Sequence, residues 1–212
     1  MTPTSPARRA ATALATTALV TAVTVTSAPV AAAAPHTPPA VGAAPAGLKA
    51  VDYDAWLREV RSVIDQARPY VEKRTEHAHS EKQALVLDID NSSLETHFHW
   101  TYPTPAIKPV LELTRYAHAR GAAVFFVTAR PGILVPPTDY NLRQVGYPVS
   151  GLYVRRLPDL FQDVGAYKTA KRAEIEAKGY KIIANIGNNT TDLAGGHAER
   201  TFKLPDYGGI LS

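Results

Sequence analysis

Short apolar runs at 85–87, 122–127 and 182–184 alternate with longer segments whose apolar residues return every three or four positions, and this alternation leaves the chain few folds. An unbroken apolar run of that length suits a strand covered on both faces, whereas the three-to-four step suits an amphipathic helix. The spacing predicts helices over 53–73, 105–120, 138–145 and 165–178, and strands over 85–89, 122–127, 151–154 and 181–186. In the first helix Trp56, Val60, Val63, Ile64, Ala67 and Val71 form the stripe, with a bend or an end near Pro69. The second carries Val110, Leu111, Leu113, Thr114 and Ala117 between Pro105 and Gly121, the usual opening and closing residues. Strands alternating with such helices predict an α/β three-layer sandwich with a mostly parallel central sheet. Right-handed crossovers bring the carboxyl ends of the strands to one edge, where folds of this kind bind ligands.

The N-terminal part reads differently. Residues 1–28 open with polar residues and Arg8-Arg9, then run without a charge from Ala10 to Ala28, the layout of a secretory signal peptide, with small residues at 27–28 or 32–34 for cleavage. Six threonines interrupt that run and nothing basic follows it, so no stable membrane anchor is expected. Residues 29–47 are an Ala/Pro-rich linker, which leaves 48–212 as the folded domain of a secreted protein. Without the two leader arginines, 21 basic residues face 19 acidic ones, a balance that argues against nucleic acid as a partner. There is no cysteine, hence neither a disulfide framework nor a thiolate metal site. Nothing in the pattern sets an oligomeric state.

Chemistry concentrates where the strands are expected to end. The first strand runs into Asp88-Ile89-Asp90-Asn91-Ser92, the second into Thr128-Ala129-Arg130, and the last into Gly187-Asn188-Asn189-Thr190-Thr191-Asp192, with Lys168 on the preceding helix. Taken singly, such residues often only cap backbone amides: the Asp88/Asp90 pair can finish a strand, and Asn188 and Asp192 can cap a helix. Two residues apart on an extended chain, Asp88 and Asp90 have α-carbons about 6.6 Å apart, within reach of one small cation. Two acids, a hydroxyl, a lysine and a polar turn converge on one edge.

The order DxDx[ST], Thr, Lys and Gly-Asn-x-x-x-Asp resembles the four motifs of the haloacid dehalogenase-like (HAD) phosphatases. The stretches LVLDIDNSSLE, GAAVFFVTAR, NLRQVGYPVSGLYVR, YKTAKRAEIEAKGYKIIANIGNNTTDLAGG and RTFKLPD are similar to the secreted acid phosphatases of subfamily IIIB, over roughly residues 53–206. The resemblance implies a Rossmann-like domain with a small cap insert after the first strand, acting on phosphate monoesters. It implies Asp88 as the nucleophile that becomes an aspartyl phosphate, Asp90 as general acid and base, and Thr128 and Lys168 on the phosphoryl oxygens. It also implies Mg²⁺ held by Asp88, the Asp90 carbonyl, Asn188 and Asp192. Ser92 and Arg130 become candidate substrate contacts, although Arg130 could equally pair with a surface carboxylate.

Two positions depart from the family pattern. Asn188 stands where the metal-binding acid belongs, and Asn91 where an acid is frequent. An amide oxygen still coordinates Mg²⁺ but brings a dipole rather than a charge, so weaker metal affinity or reduced turnover is expected. An alternative reading follows, of a weakened relative that binds a phosphorylated ligand. The insert Glu95–Pro105 carries His97, His99, Trp100 and Tyr102; His99 and Trp100 are candidates for a leaving-group pocket, with a zinc site or a plain packed loop as alternatives. His77 and His79 read as a solvated connector, and the basic face around Lys168 as mostly water-facing. Sequons at Asn91, Asn188 and Asn189 fall where phosphate is expected, so they read as chance matches.

Overall fold

The computed structural model describes residues 51–76, 78 and 80–211; the expected signal peptide and linker, and His77 and His79, lie outside the described residues. Helix α1 (Tyr53–Thr75) precedes strand β1 (Lys82–Leu87), and the chain continues through α2 (Lys108–Ala119), β2 (Ala123–Pro131), α3 (Val135–Gln144) and β3 (Gly151–Arg155). It then forms α4 (Val164–Ala177), β4 (Tyr180–Gly187), the single-turn α5 (Thr190–Leu193) and β5 (Thr201–Lys203). The five strands are all parallel, in the order β3-β2-β1-β4-β5. The chain builds outward from β1 through β2 to β3, then crosses to the other side for β4. The strand order therefore reverses between β1 and β4, which opens a crevice at their carboxyl ends.

The strand period of two divides the core. Leu85 and Leu87 face Trp56, Val60 and Ile64 of α1 and Val110 and Leu113 of α2, while Ala84 and Val86 face Tyr167 and Ile175 of α4. A register shift after Ala84, which pairs with Ile182 while Leu85 pairs with Ala184, lets Ile183 bulge without turning Ile186 off the α1 side. The predicted three layers are present, with α1 and α2 below the sheet and α4 above.

Several boundaries differ from expectation for physical reasons. Helix α1 does not end at Pro69 but runs to Thr75. Pro69 removes the bond to the Asp65 carbonyl, but both residues face water, while Ile64, Ala67 and Val71 hold the buried side. Helix α2 starts at Lys108 rather than 105, because Ala106 is engaged in a bridge with Leu94 and Pro109 is the proline of the first turn. Strand β2 runs on to Pro131, so Thr128 and Arg130 lie within it. Strand β5, too short for any alternation to register, was not expected.

The insert after β1 folds against α1. The Phe98 ring packs on Trp56 at a centroid distance of 4.5 Å and on Tyr53 at 5.2 Å. On its other side Asn141 of α3 exchanges hydrogen bonds of 2.8 and 2.9 Å with the backbone of Thr104.

Candidate active site

The crevice between β1 and β4 holds a buried charge cluster. Asp88 follows the last residue of β1, its N–H donating to the Ile186 carbonyl of β4 at 3.0 Å, so its side chain is carried by two paired strands. Lys168, four residues into α4 and 3% exposed, donates from Nζ to Asp88 Oδ1 at 2.7 Å and also to Asp192 Oδ1. Asp192 reaches that point because Gly187 has no side chain: a Cβ there would collide with the Asp192 side chain. Asp192 Oδ2 accepts from the Asn189 N–H at 2.8 Å, closing the turn between β4 and α5. Asp88, Asp90, Thr128, Ala129, Lys168, Asn188, Asn189 and Asp192 line one pocket of about 110 Å³. A larger apolar groove of about 760 Å³, lined by residues including Ile133 and Leu157 beyond the ends of β2 and β3, carries none of these groups, so the chemistry favours the smaller pocket.

Electrostatics set the character of the pocket. Burial pushes the Asp88 carboxyl up to about 6; the Lys168 ammonium opposes this, and the Asp192 charge adds to it. For Lys168 burial works against the ammonium, yet Asp88 and Asp192 outweigh it and raise its pKa. Two buried carboxylates thus share one buried cation, and the pocket is short of positive charge.

Whether a divalent cation suits these residues follows from their donors. Among the described residues nothing donates to Asp88 Oδ2 or to the Asp90 carbonyl, and Asn188 adds an amide oxygen. An all-oxygen set in a pocket with excess negative charge fits a hard cation such as Mg²⁺. Among the described residues no group of three or more His, Asp or Glu converges as a ready-made cation site.

The remaining predicted residues divide between this pocket and other places. Arg130 grips Asp90 with two bonds, Nε to Oδ2 at 2.9 Å and Nη2 to Oδ1 at 2.7 Å, and Nη1 donates to Thr138 of α3 at 3.0 Å. Asp90 remains partly open to water. Ser92 is buried beneath the pocket, donating to Asn188 Oδ1 and accepting the Asn188 N–H, both at 3.0 Å. His99 and Trp100 do not join the pocket. His99 pairs with Glu95 at 3.0 Å and lines a separate cleft with Tyr53 and Arg61, because Phe98 draws the insert onto α1. Trp100 is 98% exposed. The Asn91 and Asn188 side chains are buried and hydrogen-bonded, which leaves neither amide free for a glycan.

One buried cation escaped the sequence reading. Arg172, 1% exposed, donates to the carbonyls of Asp192 at 2.6 Å and Gly196 at 2.9 Å, and to that of Ala194, so it shapes the loop that presents Asp192. Its place one helical turn after Lys168 puts both on one face of α4, a signal that the expectation of a water-facing basic side passed over.

A parallel sheet with this strand order and an Asp–Lys–Asp cluster at its reversal point is the HAD-like class of α/β protein. The chain belongs to HAD superfamily subfamily IIIB (acid phosphatase), whose family model matches residues 9–210. It is similar to a stem 28 kDa glycoprotein and a stem 31 kDa glycoprotein of Glycine max, 31% identical to each over 129 residues, or 59% of this chain and 51% and 44% of theirs. It spans about half the length of these relatives. In fold it resembles a class C acid phosphatase from Bacillus anthracis with tungstate bound, with TM-score 0.57, 16% identity, and 74% of this chain and 80% of that one covered. A further structure of class C acid phosphatase from the same organism gives TM-score 0.53 at 18% identity, covering 73% and 82%. Among the described residues no helix is long and apolar enough to cross a membrane.

Proposed function

We propose that the chain is a secreted phosphatase that hydrolyses phosphate monoesters through an aspartyl phosphate on Asp88. The observation that carries this is the buried Asp88–Lys168–Asp192 cluster in a pocket also lined by Asp90 and Thr128. Asp88 attacks phosphorus with one carboxylate oxygen, and the bond from phosphorus to the ester oxygen breaks. Asp90 protonates the departing oxygen, then takes a proton from the water that attacks phosphorus and releases inorganic phosphate and free Asp88. Lys168 offsets charge on Asp88 and the phosphoryl group throughout, and Thr128 donates its hydroxyl to a phosphoryl oxygen. Arg130 aims the Asp90 carboxylate through its two-pronged contact. Asp88, the Asp90 carbonyl and Asn188 would hold Mg²⁺, with Asp192 fixing Lys168 beside it; when bound, the ion supplies the missing positive charge.

Export is supported by the charge-free run after Arg9, and the relatives named as glycoproteins fit a secretory route. The substrate is a small phosphate monoester; nothing in the charge balance supports a nucleic-acid partner. The test is turnover of p-nitrophenyl phosphate with Mg²⁺, with EDTA, and by the Asp88→Asn variant. Metal-dependent release of p-nitrophenol that disappears in the variant is expected. Tight phosphate binding without turnover would favour the ligand-binding reading, for which the amide at 188 is the specific ground.

A further inference from the structure

We infer that the backbone carbonyl of Leu211 is a positioning group for Asn188, fixing which end of that amide is offered to a cation in the Asp88 pocket; this deepens the metal-dependent reading above and rests on it. Leu211 is 1% exposed and belongs to a turn that doubles back on Asp206, with its N–H donating to the Asp206 carbonyl at 3.1 Å. Its own carbonyl accepts from Asn188 Nδ2 at 2.7 Å and from Asn91 Nδ2 at 2.8 Å. These are the two positions where the resemblance puts acids. A carbonyl oxygen has two acceptor sites, and here both are filled by side-chain amides from the loops after β1 and β4.

The chemistry of the amide decides its orientation. Leu211 can only accept, so the atom of residue 188 that faces it is nitrogen, and the oxygen lies on the side of Ser92, 3.0 Å from its hydroxyl. Since Asn188 lines the pocket with its nitrogen committed, the oxygen, which accepts from Ser92 on one lone pair, keeps its second lone pair for a ligand there. A carboxylate at 188 would bring oxygen against the Leu211 oxygen in a site that is 1% exposed, where water cannot screen the repulsion. Asn91 is built into the same arrangement: its left-handed backbone, φ 52, suits asparagine, and its Oδ1 accepts the His97 N–H at 2.8 Å. Lys203 steadies the base of the turn, donating to the Asn188 carbonyl and pairing with Asp206 at 3.1 Å. The two asparagines and the 208–211 turn are therefore a matched set, in which fixed direction replaces formal charge.

The test uses Mn²⁺ alone as an EPR-visible cation, titrated into the full chain. Gly209 has φ +92 and open space around it, so Gly209→Val strains the turn that carries Leu211 without touching the pocket. The expected result is that Gly209→Val weakens Mn²⁺ binding about tenfold when Asn188 is present and changes it little in an Asn188→Ala background. Equal weakening in both backgrounds, or none with Asn188 present, overturns the inference. A second readout needs no metal and does not depend on whether the Gly209→Val variant folds. Asn188→Asp should speed hydrogen exchange at the Leu211 amide, and an unchanged rate there also overturns the inference. A chain that binds no Mn²⁺ at all refutes the metal-dependent reading together with this one, whereas binding without the coupling refutes this one alone.

Discussion

At Asp88, burial and attraction pull in opposite directions and burial wins, which gives the metal-free protein a definite pH signature. The folded carboxyl titrates near 6 against an ordinary value of 3.8, so its contribution to stability is full below pH 3.8 and is lost as the pH rises through 6. Asp88→Asn imitates the protonated form. Thermal melts without metal should therefore show the variant a few degrees above wild type at pH 7.5, with the gap closing toward pH 4. An equal gap at both pH values would mean that Asp88 carries no such penalty. Asp88, Asp90, Thr128 and Lys168 were legible in the sequence because each follows a predictable strand or sits one turn inside a predictable helix, and Asp192 because it completes the Gly-Asn-x-x-x-Asp pattern. The contacts that define their surroundings were not legible. Arg130 meets Asp90 across 40 residues and Leu211 meets Asn91 across 120, distances over which spacing carries no signal. The solvent-facing Trp100 and the diverted His99 show the same limit from the other side, since local composition cannot say which surface an insert packs against.

Among the elements, α1 tolerates a proline that ought to break it. The helix runs on to Thr75 because Trp56, Val60, Ile64, Ala67 and Val71 are all buried against the sheet side, while the lost hydrogen bond falls on the wet face. Pro69→Ala should restore the bond to Asp65 and raise unfolding stability by about 1–3 kcal/mol in urea titrations, without altering turnover. A variant no more stable than wild type would show that water already satisfies the exposed Asp65 carbonyl at no cost. Sequence periodicity found α1, β1, β2, α4 and β4 because each presents a long regular stripe or run. It placed the start of α2 too early because the Ala106–Leu94 bridge is a tertiary event, and it passed over β5, whose three residues gain strand geometry only from pairing with β4.

For the whole molecule, a cation that binds only the folded pocket should stabilise the entire domain, because Asp88 and Asn188 follow neighbouring strands of a single sheet. At a concentration one hundred times its dissociation constant, Mg²⁺ would add about 2.7 kcal/mol. Calorimetry should show the melting temperature rising with Mg²⁺ in the wild-type chain and staying flat in Asp88→Asn. A rise in both would place the ion elsewhere. The strand order has a further effect, one of timing. Asp88, the proposed nucleophile, is made early, but Lys168, Asn188 and Asp192 are polymerised some eighty to one hundred residues later, and β4 must dock against β1 before they meet it. A ribosome-bound or threaded, extended polypeptide would thus lack the assembled Asp88–Lys168–Asp192 cluster on which the proposed reaction depends.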